Sequence, residues 1–174
     1  LEVSAWLIYK HHKPIAIQGI ARDVTQRKLE EIRLKESQQF LLDMVDYLPD
    51  AIMAIDTEGK VIIWNQAMEL LTGITADKML GKDNYEYALP LYGKRRPILI
   101  DLVLRPENIE RDYTAIEKEH YVLTALTDVP SLKGERSQLW ARAVPLYDRE
   151  GQLIGAIEAI RDMNEYQRIR DAGY

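Results

Sequence analysis

The sequence predicts an α+β fold in which an antiparallel sheet carries helices on one face and follows a long helix. Two apolar runs, Ala51–Ile55 and Val61–Asn65, flank a turn that contains Gly59, which is typical of a β-hairpin. Further apolar runs near the C-terminus are separated by glycine-containing turns. The segment Thr25–Leu48 contains neither Gly nor Pro and is rich in helix formers, so we expect one long helix there.

Composition excludes several classes of protein. The length of 174 residues leaves room for one ordinary domain and an additional segment. A net charge of −5 without a clustered basic face argues against nucleic-acid binding. The absence of cysteine excludes disulfides, thiolate metal sites and thiol-linked chromophores. Because no apolar run reaches the roughly 18 residues that a membrane span needs, we expect a fragment without a membrane segment. The absence of cysteine is compatible with the cytoplasm, where we expect the fragment to lie.

The N-terminal residues predict another hairpin, from the apolar runs Val3–Tyr9 and Ile15–Ala21, joined by a polar connection with Pro14. The C-terminal part repeats this pattern about 139 residues later, so that Arg161–Asn164 corresponds to Arg22–Thr25. A repeat of this length indicates two copies of one domain. An isolated hairpin is marginally stable, so we expect the chain to begin inside the first copy.

The long helix carries leucines at coiled-coil spacing. Leu34, Leu41 and Leu48 are seven residues apart, which is typical of a dimer seam. Ser37 and Gln38 interrupt the apolar register. Two interpretations stay open: a parallel dimer helix between modules, or an amphipathic helix that packs on its own domain.

The central hairpin continues into a helix. Asn65 ends the second strand and can cap a helix over Gln66–Leu71. This unit, preceded by Leu48-Pro49-Asp50, resembles the opening of a PAS domain, a sensory module whose pattern reads roughly D-x-x-G-x-I-x-x-x-N-x-A. The matching residues are Asp56, Gly59, Val61, Asn65 and Ala67.

The following segments extend the resemblance. Thr72-Gly73 and the short helical segment Thr75–Gly81 are similar to the T-G-x-x-x-x-E-x-x-G segment of the family. An irregular aromatic segment, Asp83–Lys94, then leads to a buried helix over Ile98–Leu104, with Pro97 at its start. Three strands follow, at His120–Asp128, Gln138–Leu146 and Gln152–Ile160. The resemblance therefore implies a PAS fold with a five-stranded antiparallel sheet and helices on one face.

The resemblance also implies a division of the chain. Residues 1–24 would be the C-terminal hairpin of an upstream PAS domain, residues 25–47 a signalling helix, residues 48–163 a complete PAS domain, and residues 164–174 the start of the next linker helix. We expect a sensory or relay segment of a multi-domain receptor, such as a sensor histidine kinase, that acts as a homodimer through its linker helix and PAS domain.

No enzyme site can be assembled from the sequence, because a nucleophile, a base and a charge-stabilising group do not occur together. In PAS domains a small ligand lies between the sheet and the buried helix. The candidate ligand contacts are Met53, Trp64, Tyr85, Tyr87, Tyr92, His120 and Trp140. The alternative is that these side chains fill the core.

No cofactor is evident. Haem-binding relatives carry the iron ligand on the helix that here reads Ile98–Leu104, which has no histidine, and His11 and His12 form a poor chelating pair in a hairpin turn. A ligand sensor, a structural dimerisation module without ligand, and a noncovalent haem or flavin sensor stay open. The candidate relay residues follow the last strand of each copy: Arg22, Asp23, Thr25, Arg161, Asp162 and Asn164.

Overall fold

The computed structural model describes residues 1–105, 113, 115–132, 134–164, 168 and 170. The chain divides into two compact units, Leu1–Asp43 and Met44–Tyr174, and each is described by itself. The linker helix expected at residues 164–174 falls largely outside the described residues, so its prediction stays untested.

The first unit contains the predicted hairpin and most of the predicted helix. Its turn lies at His11 and His12, which both have a positive φ. The helix begins where Asp23 Oδ1 accepts a hydrogen bond of 2.9 Å from the backbone N–H of Thr25. Among the described residues, no helix has both the length and the apolar character that crossing a membrane requires. The elements are β1 (Glu2–Lys10), β2 (Lys13–Arg22) and α1 (Thr25–Asp46), whose end belongs to the second unit.

The second unit is built on a six-stranded antiparallel sheet with the strand order β4-β3-β8-β7-β6-β5. The fold class is confirmed, but the expected number of five strands is wrong. The strands are β3 (Ala51–Asp56), β4 (Val61–Trp64), β5 (Ala115–Glu119), β6 (Val122–Leu132), β7 (Glu135–Tyr147) and β8 (Leu153–Asp162).

The unpredicted strand is β5, at the edge of the sheet. Its residues Glu117, Lys118 and Glu119 are charged, as is common on edge strands. Because the segment also lacks neighbouring turn signals, its sequence does not indicate a strand. The prediction that His120 begins a strand is also wrong. His120 lies in the turn between β5 and β6 with a φ of 55°, and its side chain is exposed.

Short helices lie between β4 and β5. The aromatic segment expected to be irregular contains a 3-10 turn at Glu86–Ala88 and a helical turn after it, so this expectation is wrong. The buried helix begins at Leu99, one residue later than expected. The helices are α2 (Gln66–Thr72), α3 (Ala76–Met79), α4 (Leu89–Tyr92) and α5 (Leu99–Leu104).

The core of the second unit lies between one sheet face and these helices. Strands β3, β8 and β7 form the middle of the sheet and supply Met53, Ala143 and Ile160 to this core. A Cβ atom built on Gly155 would overlap the carbonyl oxygen of Ile55, so β3 and β8 approach each other at a distance that requires glycine.

Candidate functional site

The side chain of Asn65 joins the beginning of the PAS-like sheet to the end of α1. Its Oδ1 accepts hydrogen bonds from the backbone N–H groups of Ile52 (2.8 Å) and Met68 (3.0 Å). Its Nδ2 donates to the carbonyl oxygens of Val45 (3.1 Å) and Asp50 (2.9 Å). Asn65 is only 2% exposed, so this side chain caps α2 and fixes the preceding chain to β3.

An ion pair joins the segment before β3 to the end of β8. The guanidinium of Arg161 donates from Nε and Nη2 to the two carboxylate oxygens of Asp50, each at 2.7 Å. The same guanidinium lies 5.3 Å from the ring centroid of Trp140. Arg161 was a sequence candidate, whereas Asp50 was not. The pairing of Ala51 with Ile160 places these charges side by side, and the sequence carries no direct signal of that register.

Asp162 begins the chain segment that leaves the sheet. Its Oδ1 accepts hydrogen bonds from the Ser137 hydroxyl and, at 2.9 Å, from the backbone N–H of Asn164. The Asn164 amide donates to the carbonyl oxygen of Arg136 at 3.1 Å. Asp162 and Asn164 therefore attach the outgoing segment to the first residues of β7.

Asp23 in the first unit makes the same local contact as Asp162. Each aspartate accepts, at 2.9 Å, the backbone N–H of the residue two positions later, Thr25 or Asn164. Hydrogen bonds from the side chain and the backbone of Thr25 lower the pKa of Asp23. The motif ends in Thr25 in the first unit and in Asn164 in the second, so both residue types are compatible with the same local geometry.

The hairpins β1-β2 and β7-β8 share their pairing register as well as their sequence pattern. Each has one irregularity, and it falls at the same step of the repeat. A sequence repeat that preserves both register and bulge position describes the same structural element twice. The matched pairs are Glu2–Arg22 with Trp140–Arg161, Ile8–Ala16 with Leu146–Gly155, and Tyr9–Pro14 with Tyr147–Leu153.

Five of the predicted ligand contacts lie together on the helical side of the sheet. Met53, Trp64 and Tyr87 are at most 4% exposed and belong to the core. Tyr85 and Tyr92 are half-buried against that core. The indole of Trp64 donates to the carbonyl oxygen of Ile74 at 2.9 Å, so its polar atom is satisfied by the protein.

The structure does not bring the other two predicted contacts to this group. His120 is exposed in the turn at the β5 edge. Trp140 lies between Leu139 and Ala141, which point into the core, and side chains alternate across a strand, so Trp140 lies on the opposite sheet face.

Two buried carboxyl groups lie near the first turn of α5: Asp101 belongs to this helix, and Glu158 contacts it from β8. Neither is among the site residues predicted from the sequence. Asp101, 8% exposed, accepts hydrogen bonds from the Tyr87 hydroxyl (2.6 Å) and the backbone N–H of Ile98 (2.8 Å). Glu158, 2% exposed, accepts from the backbone N–H of Ile100 at 2.9 Å. In both cases the available sequence signal was a single acid within an apolar run.

Burial shifts the pKa values of both acids upward. For Asp101, desolvation raises the pKa, while the hydrogen bonds from Ile98 and Tyr87 oppose it. For Glu158, desolvation raises the pKa to about 8; the hydrogen bond from Ile100 opposes the shift, and the nearby Asp101 adds to it. Glu158 is therefore largely protonated at neutral pH.

Two cavities lie among the residues described above. One, of about 170 Å³, is bordered by Tyr85, Tyr87, Asp101 and Arg105. The other is an open groove of about 980 Å³ whose lining includes Asp50, Arg161 and Asp162. Within the described parts of the chain, no three His, Asp or Glu side chains come together as a metal site would require. The arrangement provides buried hydrogen-bonding groups and an ion pair that joins the segment before β3 to the end of β8.

The family model described as PAS fold matches residues 45–168 of this chain. These residues make up more than half of the chain and include the whole six-stranded sheet. The chain therefore belongs to the PAS fold family, and this confirms the resemblance seen in the sequence.

Curated relatives and solved structures agree with this assignment. The virulence sensor protein BvgS of Bordetella pertussis is 27% identical over 161 residues, which cover 92% of this chain and 11% of BvgS. The chain thus spans about a tenth of the length of the curated relatives that it matches.

The solved structures that this chain resembles include two with TM-scores above one half. The PAS domain of Bordetella pertussis BvgS is 26% identical with a TM-score of 0.55, covering 82% of this chain and 96% of that domain. An RNA-binding light-oxygen-voltage receptor is 18% identical with a TM-score of 0.52, covering 72% of this chain and 33% of that receptor, and it shares the fold.

Proposed function

We propose that this chain is a signal-relay segment of a multi-domain receptor of the sensor histidine kinase type, located in the cytoplasm. The observation that carries this proposal is the two-point ion pair between Asp50 and Arg161. Asp50 follows the end of α1, and Arg161 lies where the chain leaves the sheet. A displacement at either end therefore acts directly on the other through this contact.

The strength of the contact suits a switch. The side chains of Arg161 and Asp50 are 54% and 30% exposed, and partly exposed ion pairs contribute only ~0–1 kcal/mol to stability. A pair of this strength can open without unfolding the domain. Asn65 holds the chain before β3 through partly buried hydrogen bonds, so the fixed and the breakable contacts lie side by side.

The proposed dimer forms through α1 together with the PAS domain. Most apolar side chains of α1 are exposed, and those of Leu34 and Leu41 are 62% and 59% exposed. Within the described part of the chain, α1 buries none of its residues. Apolar groups at heptad spacing with no cover are stabilised when a second copy of the helix packs against them.

Residues 1–24 fit the C-terminal hairpin of an upstream PAS domain, and residues 25–47 the helix that links it to the domain at residues 48–163. The shared register and bulge of the two hairpins support this division. The candidate relay residues Arg22, Asp23 and Thr25 would then act at the end of the first domain as Arg161, Asp162 and Asn164 do at the end of the second.

A small ligand would contact the group formed by Met53, Trp64, Tyr85, Tyr87 and Tyr92. The adjoining cavity of about 170 Å³ is smaller than the ~300–1,000 Å³ of typical ligand pockets, so the ligand would have few atoms. The close packing of Met53, Trp64 and Tyr87 favours a second candidate function, a structural dimerisation module without ligand. Native mass spectrometry and an absorption spectrum of the purified chain distinguish these candidates and detect a noncovalent haem or flavin.

The relay is tested in the natural full-length protein by measuring its signalling output. We expect Asp50→Asn and Arg161→Gln each to change the response to stimulus, and the charge exchange Asp50→Arg with Arg161→Asp to restore part of it. The matched control is Arg95→Gln, because Arg95 and Glu86 form a pair at 3.4 Å with similar exposure, 49% and 33%. A wild-type response from both single variants would refute the proposed relay.

A further inference from the structure

Glu158 occupies an unusual place for an acid, at the middle of the sheet. On the neighbouring strands it pairs with Met53 in β3 and with Ala143 in β7. Both partners are apolar and completely buried. Its carboxyl group instead accepts a hydrogen bond from the backbone of Ile100, in the first turn of α5. The contact therefore fixes a short helix to the central strand of the sheet.

Asp101 places a second carboxyl group at the same turn of α5. Its two oxygens accept from Tyr87 and from the backbone of Ile98. Its negative charge disfavours ionisation of Glu158. The positive charge of Arg105 favours the ionised form of Asp101. The packing of α5 on the sheet thus involves two carboxyl groups that repel each other when both are charged.

Among the described residues, three tyrosines also interact with the charge of Glu158. Tyr87 of the 3-10 turn, Tyr92 of α4 and Tyr113 all have pKa values that are raised mainly by burial and also by the charge of Glu158. Thr127 of β6 acts in the opposite direction on Tyr92 and lowers its pKa. The guanidinium of Arg96 lies over the rings of Tyr92 and Tyr113, at 4.7 and 5.9 Å from their centroids.

We propose that Glu158 is a proton-responsive group: while it is protonated it lies uncharged between β8 and α5, and when its proton is released to solvent the buried charge loosens α5 despite the hydrogen bond from Ile100. The released proton leaves a buried carboxylate beside Asp101, and hydration of that carboxylate requires α5 to move away from the sheet. This inference goes beyond the proposed relay, because it assigns a stimulus and needs neither a ligand nor the Asp50 contact.

The direction of the pH effect follows from the two states of the chain. The pKa of Glu158 rises from an ordinary 4.5 to about 8 on folding. Between these values the folded protein keeps a proton that the unfolded chain has lost. Stability therefore falls as pH rises through this window and levels off above about 8.

The test uses the 174-residue chain with ¹³C-labelled glutamate. We expect the Glu158 carboxyl resonance to titrate with a midpoint near 8. Hydrogen-exchange protection of the α5 amides, corrected for the intrinsic effect of pH, should fall by about tenfold or more between about pH 6.5 and 9.5. Replacement of the neighbouring charge by Asp101→Asn should move the midpoint to lower pH.

Glu158→Gln supplies the variant that cannot titrate and retains an acceptor for Ile100. Its α5 protection should no longer depend on pH, whereas the control Glu117→Gln, at an exposed position of β5, should respond as the wild type does. A wild-type midpoint below about 6, or α5 protection that stays constant across the titration, overturns the proposal; these readouts need no variant.

Discussion

The amide nitrogen of Asn65 lies 3.1 Å from the carbonyl oxygen of Val45 and so connects the first residue after β4 to the last turn of α1. Twenty residues separate the two in sequence. The same side chain caps α2, so one asparagine serves both the fold of the sheet and the attachment of the preceding helix.

Replacement of this asparagine should be costly. Asn65→Ala removes the cap of α2 and leaves the backbone groups of Ile52 and Asp50 without their partner, which should lower the free energy of unfolding by about 2–4 kcal/mol. Urea denaturation measures the change. Asn65→Asp keeps the acceptor and loses the donor, so it should fall between wild type and Ala; equal stability of Ala and wild type would contradict this role.

Loss of the ion pair at the ends of the sheet should have a different signature. Arg161→Gln should change the free energy of unfolding by no more than about 1 kcal/mol, because the pair is partly exposed. It should nevertheless increase hydrogen exchange at residues 162–164, which follow Arg161 directly. Arg95→Gln should leave that exchange at its wild-type rate, and unchanged exchange in both variants would mean that Asp50 does not restrain the end of β8.

Replacement of Gly155 should lower the stability of the second unit. A methyl group there would meet the carbonyl oxygen of Ile55, so Gly155→Ala should force β3 and β8 apart and cost about 1–3 kcal/mol. Thermal or urea denaturation gives the value. Gly19→Ala is the control in a strand of the other unit, since the nearest atom to its new Cβ is 3.6 Å away. Equal effects of the two substitutions would show that the approach of β3 to β8 adjusts freely.

Glu158→Gln should change how stability depends on pH. Near pH 5 the wild-type side chain is protonated in the folded state and the two proteins should have similar stability. As pH rises toward about 8, this group should lower wild-type stability by up to ~1.4 kcal/mol per pH unit, and the variant should lack this contribution. Urea titrations at several pH values measure the difference, and parallel curves for the two proteins would contradict it.

Local patterns in the sequence were sufficient for most elements. The Gly59 turn, the Asn65 cap and the uninterrupted helix of α1 depend on residues close in the chain, and their positions are predicted to within a few residues. Strand β5 was missed because its charged residues resemble a loop until β6 pairs with it. The aromatic segment also gave no helical signal, since its helical turns are only a few residues long.

The site was harder to predict because it depends on pairs of distant residues. Asp50 meets Arg161 only after β3 and β8 have paired, and Glu158 meets Asp101 only when α5 covers the sheet. Trp140 was assigned to the interior, but strand register places it beside Arg161 on the other face. Tyr85 and Tyr87, by contrast, are predicted ligand contacts that do border the small cavity.

Because the hairpins β1-β2 and β7-β8 share a pairing register, their equivalent positions can be compared. Glu158 pairs with Ala143, and at the equivalent step of the first hairpin Gly19 pairs with Ala5. The β1-β2 hairpin therefore has a glycine at the position where the β7-β8 hairpin has a glutamate. The two hairpins thus share their strand geometry but differ in the chemistry of this position, so under the proposal for Glu158 a change in pH would act on the β7-β8 hairpin and not on the β1-β2 hairpin.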